Sequence, residues 1–218
     1  MENPADTGRV LLINKPYEWT SFDVVNKLRY IFKIKKIGHA GTLDPLATGL
    51  LIICTGKMTK RIDEFMGLEK EYTGKFVLGQ TTPSHDLETV VSESTDISSI
   101  TIARVHEAAK ALTGSLQQLP PMHSAIKISG KRAYQFARKG QEIELKHRPV
   151  DIRIFEITSV ELPQVSFRIV CSKGTYIRSI ARDFGVALGV GAYLSELCRT
   201  RIGNYFLQDA LTIDSVTP

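Results

Sequence analysis

The sequence predicts an α+β fold, with a mixed, largely antiparallel central sheet flanked by helices. Three observations predict it. Apolar stripes at helical spacing run through 24–32, 102–112 and 177–188. Period-two alternation marks 71–78 and 164–172. These segments do not follow one another in the regular strand–helix order of a doubly wound sheet, and no internal repeat is visible.

The elements follow in chain order. Arg9 to Asn14 is an apolar run that reads as a buried strand, ended by Lys15-Pro16. Thr20 or Ser21 caps a helix whose buried face is Val24, Val25, Leu28, Ile31 and Phe32; Lys33, Lys35 and Lys36 close it near its negative end. The stretch from Gly38 to Leu50 reads as a shaped loop feeding a strand at 50–54, because three glycines and Pro45 crowd into it. Thr59, Ile62, Phe65 and Met66 suggest a short helix. In the strand 71–78, Tyr72, Gly74, Phe76 and Leu78 share a face. Residues 81–99 are polar and loop-like, and Gly114 stops the helix of Ile102, Val105, Ala109 and Leu112. A basic elaboration occupies about 117–150 and is followed by strands near 150–160 and 164–172. Thr175 caps a helix carrying Ile177, Ile180, Ala181, Phe184 and Leu188; a short helix at 192–198 and a strand at 200–208 end the chain.

Composition narrows the function classes. The 218 residues, 43% hydrophobic and 23% charged, suit one globular domain that folds without staples. Cys54, Cys171 and Cys198 lie far apart with no zinc spacing, so neither a disulfide framework nor a metal is expected. The polar N-terminus lacks a signal peptide, and no apolar run nears the roughly 18 residues of a membrane span. A cytoplasmic location and no membrane partner follow. The net charge of +5 permits a polyanionic partner. Residues 125–148 alone carry a surplus of five: Lys127, Lys131, Arg132, Arg138, Lys139, Lys146 and Arg148 stand against Glu142 and Glu144, with Tyr134 and Phe136 between. A basic, aromatic-bearing segment suits contact with phosphates and bases, although many such segments are solvated helix faces.

The chemistry concentrates in Gly38-His39-Ala40-Gly41-Thr42-Leu43-Asp44-Pro45-Leu46-Ala47-Thr48-Gly49-Leu50. A rigid loop presenting one carboxylate is how a fold positions a reactive group. By its spelling this segment resembles the catalytic motif of the TruB family of pseudouridine synthases. Lys173-Gly174-Thr175-Tyr176-Ile177-Arg178 spells that family's KGTYIR element, and Glu71-Tyr72-Thr73-Gly74-Lys75-Phe76 a third motif. The resemblance covers roughly residues 9–208 and implies the pseudouridine synthase fold with a basic thumb-like insertion.

It further implies a tRNA pseudouridine synthase that converts uridine-55 of the T loop by flipping the base, cleaving its glycosidic bond and re-forming it through C5. Asp44 is then the catalytic carboxylate, Arg178 its partner and Tyr72 the ring stacked on the target base. A guanidinium beside a carboxylate lowers its pKa by about 1–3 units and can fix its direction. The resemblance also implies that His39 enters the T loop where the base leaves, that Leu197 forms an apolar wall, and that Lys15-Pro16 belongs to an N-terminal element. The thumb makes Lys127, Lys131, Arg132, Arg138 and Lys139 RNA contacts. The isomerisation adds no atom and changes no redox state, so no cofactor is expected. The partner is the tRNA T stem-loop, with no protein partner required and a monomer expected.

Departures are local. Residues 82–89 follow the family's TDTxDAEG pattern only loosely: Asp86 is kept, while Pro83, Leu87 and Thr89 replace an acid, Ala and Gly. His123 stands where Tyr is common and Cys198 where Arg is common. The resemblance ends near residue 208, so a single catalytic domain without a C-terminal PUA module is expected. Two other readings compete: a non-catalytic RNA-binding or tRNA-folding protein on the same scaffold, and a glycosidase. The latter normally needs a second carboxylate as acid, which no motif here supplies.

Overall fold

A computed structural model describes residues 8–217, apart from 93, 123, 125, 126, 129, 130, 133–135, 137–140 and 142–144. The chain forms two compact units, residues 1–73 with 196–218, and residues 74–195.

The first unit is organised by an unbroken apolar strand. Strand β1 (Val10–Lys15) leads to helix α1 (Ser21–Phe32), β2 (Ile37–Ala40), β3 (Ala47–Thr55) and, past a 3-10 turn, α2 (Ile62–Gly67). Antiparallel β1 covers one edge of β3, from Val10 opposite Cys54 to Lys15 opposite Gly49. The other edge is shared: antiparallel β2 takes 52–55, and β10 (Ala192–Ile202) takes 47–49 in parallel. The loop from 41 to 46 emerges where these two strands change over. Leu51 and Ile53 pack with Ile13 of β1 and with Val24, Val25 and Leu28 of α1, while Leu50, Ile52 and Cys54 pack with Phe65 of α2 and Ile202. Burial on both faces explains why this strand reads as continuous apolar sequence.

Helix α1 begins where its cap allows. The Thr20 hydroxyl accepts from the Asp23 amide at 3.0 Å, and the Asp23 carboxylate accepts from the Thr20 amide at 2.8 Å, a reciprocal capping box. Lys33, at φ +52°, ends the helix.

The second unit holds part of β10, then β4 (Lys70–Leu78), β9 (Gln164–Cys171), β8 (Arg148–Glu161) and β5 (Gly114–Gln118), in that order across its sheet. Strands β4 and β10 lend their other halves to the first unit. Helices α3 (Ile102–Ala111) and α4 (Ile177–Leu188) belong here, as does the small ribbon β6 (Lys127–Ile128) with β7 (Lys131–Arg132). Phe76, Phe155, Phe167 and Phe184 make its aromatic centre, with Phe76 and Phe167 stacked at 4.2 Å. A Cβ on Gly185 of α4 would lie 2.1 Å from the Ala192 amide nitrogen, so only glycine fits there.

The α+β expectation holds, with six local corrections. Residues 192–198 form strand, not helix, because sheet pairing, with β4 and, at 197–199, in parallel with β3, overrides a short helical spacing of leucines. The final strand expected at 200–208 is accordingly the end of β10 and the two-residue β11 (Tyr205–Phe206). Gly38, His39 and Ala40 lie in β2 rather than in the loop; four residues carry too little pattern to be seen. Gly114, at φ +100°, opens β5 instead of capping α3, whose cap is Leu112, and Arg148–Val150 likewise belong to sheet. The Thr175 hydroxyl donates to the Ser172 carbonyl, and Tyr176 stands at the α4 N-cap without a side-chain cap.

Candidate active site

In the first unit, Asp44 sits on a turn closed by the Ala47 amide donating to the Asp44 carbonyl at 3.1 Å, with Pro45 as its second residue. Proline presets φ for that position. The side chain is partly exposed, whereas the main chain around it is held from within by three buried polar residues. The Ser21 hydroxyl accepts from the Leu43 amide at 2.9 Å and donates to the Leu43 carbonyl at 3.1 Å. The Lys15 ammonium donates to the carbonyls of Pro45 at 3.2 Å, Pro16 at 2.9 Å and Trp19 at 2.5 Å. Arg199 donates to Gly41 at 3.1 Å, Thr42 at 3.3 Å and Leu50 at 2.8 Å. Two glycines permit this. Gly41 takes φ +92°, and a Cβ on Gly49 would lie 2.4 Å from the Arg199 carbonyl oxygen across the β3–β10 pair.

Charge is compressed around the loop. Burial pushes the Lys15 ammonium down to about 8; the Asp44 carboxylate opposes this and the Arg199 cation adds to it. Burial, aided by Arg199, also lowers the His39 imidazole and keeps it neutral. The folded protein therefore releases the Lys15 proton near pH 8, while the unfolded chain keeps it to the ordinary 10.5. More protons bound in the unfolded state means stability rising with pH. Across about pH 8–10, urea unfolding should show the wild type gaining on Lys15→Met by up to about 1.4 kcal/mol per pH unit. A flat or falling difference would refute this assignment.

Tyr72, 8% exposed on β4, and Leu197, partly buried on β10, also belong to the first unit. Leu197 pairs with Ala47, the first residue of the strand after the Asp44 turn.

The second unit holds Arg178 and Asp86. Arg178, in the first turn of α4, is 3% exposed; its Nε lies 3.4 Å from Asp86 Oδ2 and its Nη1 donates to the Ser84 carbonyl at 3.3 Å. A cation at a helix N-terminus opposes the dipole, and a buried carboxylate offsets that cost. The loop of residues 82–89 is built for its partner. The Asp86 carbonyl accepts from the Thr82 and Ser84 hydroxyls, and its Oδ1 accepts from the Glu88 amide at 3.0 Å. Thr89, one of the departures in this motif, accepts from the Ser84 amide at 3.0 Å. His85, at φ +62°, is pushed down to about 4 by burial and by Arg182 and Arg178.

Of the residues the sequence singled out, the first unit thus carries Asp44, His39, Lys15, Tyr72 and Leu197, and the second Arg178 and Asp86. Arg138, Lys139, His123 and Tyr134 lie outside the described residues, and for Lys127, Lys131 and Arg132 only the backbone of the β6–β7 ribbon is described. Sequence reasoning missed Ser21 and Arg199. Ser21 had a signal: it falls on the apolar face of α1 with Val24, Val25 and Leu28, where an uncapped hydroxyl needs a buried partner. Arg199 had none.

The chain has clear relatives. A family model described as TruB family pseudouridylate synthase (N terminal domain) matches residues 29–177. The tRNA pseudouridine synthase B of Flavobacterium johnsoniae is 53% identical over 213 residues, spanning 94% of this chain and 93% of the relative. The protein of the same name from Chlorobaculum tepidum is 48% identical over 217 residues, spanning 97% and 90%. Among solved structures, the backbone is similar to a chain in an H/ACA ribonucleoprotein bound to a substrate RNA containing 2′-deoxyuridine, with a TM-score of 0.71 and 26% identity. That match covers 94% of this chain and 51%, about half, of the other.

Proposed function

Because the chain belongs to the TruB family of pseudouridylate synthases, we propose that it isomerises uridine-55 in the T loop of tRNA, with Asp44 as the catalytic carboxylate. The observation that carries this reading is the framing of the Asp44 turn. A partly exposed carboxylate stands on a main chain held by buried Ser21, Lys15 and Arg199. Holding a reacting group in one geometry supplies much of the barrier reduction in such sites.

The chemistry asked of the site is small. The C1′–N1 bond of the uridine breaks, the uracil turns, C5 bonds to C1′, and the C5 proton leaves. Asp44 attacks C1′ or stabilises its developing positive charge, as carboxylates do in glycoside chemistry. Arg178, braced by Asp86 in its own unit, has the part of partner to that carboxylate. The Tyr72 ring stacks on the flipped base, which offsets the few kcal/mol of unstacking. Leu197 walls the base, neutral His39 enters the opened T loop, and Lys127, Lys131, Arg132, Arg138 and Lys139 meet phosphates.

Tritium release from a tRNA transcript labelled at uridine C5 tests the assignment. One tritium per tRNA is expected, and none when position 55 is cytidine. Binding without release would favour the non-catalytic RNA-binding reading, and free uracil the glycosidase. An isolated T stem-loop should react with kcat/KM within about tenfold of full tRNA, or roughly 1.4 kcal/mol. A preference of a hundredfold for full tRNA would place essential contacts outside the T arm.

A further inference from the structure

We propose that Arg199 is a positioning residue for catalysis, acting on the Asp44 turn through main-chain carbonyls alone; the inference rests on Asp44 being the catalytic carboxylate. Arg199 is 1% exposed and is the largest fully buried side chain among the described residues. A guanidinium so placed cannot meet a phosphate or a base. Among the described residues it makes no ion pair; its hydrogen-bond partners are three carbonyl oxygens.

Those three oxygens belong to the two ends of one segment. Gly41 and Thr42 open the loop that leaves β2, and Leu50 lies in β3 beyond the Asp44 turn. One rigid planar fork therefore sets the separation of the loop's two ends. Ser21 holds the middle at Leu43, and Lys15 holds Pro45. The carbonyls of 41, 42, 43 and 45 are thus all engaged by buried side chains, while the Asp44 side chain remains partly exposed. Arg199 is itself fixed, because β10 pairs with β3 at Arg199–Gly49, where a Cβ on Gly49 would lie within 2.7 Å of both the Arg199 amide nitrogen and its carbonyl oxygen. Lysine would keep the buried charge, but a single ammonium on a flexible stem cannot reproduce this planar fork.

The test uses Arg199→Lys and Ser21→Ala in the full chain, each assayed well below its own unfolding transition. Single-turnover rate, tRNA affinity and amide hydrogen exchange are read together. For Arg199→Lys the rate should fall by about tenfold or more, as a small misplacement of a reacting group would cause. Affinity should stay within about twofold, and faster exchange should be confined to residues 41–50. Ser21→Ala should lose rate in the same pattern, to a smaller extent, and serves alone if Arg199→Lys does not fold. A folded Arg199→Lys at wild-type rate overturns the inference. So does a loss wholly in affinity, or exchange accelerated throughout the unit, which would mark Arg199 as a general fold residue. If Arg199→Lys does not fold, Ser21→Ala at wild-type rate likewise overturns it. Asp44→Asn run in parallel separates the two claims. An inactive Asp44→Asn beside an unimpaired Arg199→Lys sinks only the positioning role, whereas an active Asp44→Asn sinks the catalytic assignment beneath it.

Discussion

Asp44→Asn should abolish pseudouridine formation while leaving tRNA affinity within a few-fold. Asparagine is nearly isosteric, and the turn is held by contacts that bypass the side chain: Ser21 on Leu43, Lys15 on Pro45 and Arg199 on Gly41 and Thr42. The fold should therefore persist. On the proposed mechanism, what disappears is a negative charge acting on C1′ in the transition state, so the loss belongs in the chemical step. Removing one negative charge should not weaken attraction to phosphate. Tritium release under single-turnover conditions, beside a binding measurement, reads both quantities. Near-normal turnover in purified Asp44→Asn would remove the carboxylate from the mechanism.

Arg178→Lys is expected to lose at least about tenfold in rate, roughly 1.4 kcal/mol or more, although its charge is kept. Arg178 points its guanidinium at Asp86 Oδ2 and at the Ser84 carbonyl from a site only 3% exposed. Lysine offers one compact ammonium in place of a planar fork, so it cannot hold the Asp86 carboxylate and the Ser84 carbonyl together, which the role proposed for Arg178 requires. Removing the charge with Arg178→Met should go further. It leaves Asp86 buried without its cation and should cost about 3–5 kcal/mol of stability. Urea unfolding of the Met variant and the rate of the Lys variant check the two halves. A Lys variant above a tenth of the wild-type rate would show that the fork is not needed.

Much of this architecture was legible before any coordinates. The stripe of Val24, Val25 and Leu28 and its Thr20 cap located α1, because helical periodicity and capping are local properties. The apolar run at 50–54 located a strand, and β3 spans it. The misreadings share a cause. Strand 192–202 owes its state to pairing with β3 and β4, β2 to pairing with β3, and β5 to pairing with β8. Thr175 and Gly114 looked like helix punctuation because residue type fits that role; the neighbouring turns decided otherwise.

The same division runs through the site. That a lone carboxylate between Leu43 and Pro45 stands on a shaped loop, and that an arginine opens a helix after Lys173-Gly174-Thr175, is readable from residue order alone. Those facts lie in runs of a dozen residues or fewer, where glycine, proline and capping preferences speak directly. What holds that loop and braces that arginine emerges only when the chain is folded. Ser21 reaches Leu43 across 22 positions, Arg199 reaches Gly41 across 158, and Asp86 meets Arg178 from a distant loop. Such bonds follow no period, since a buried donor takes whichever carbonyl the completed packing brings within reach.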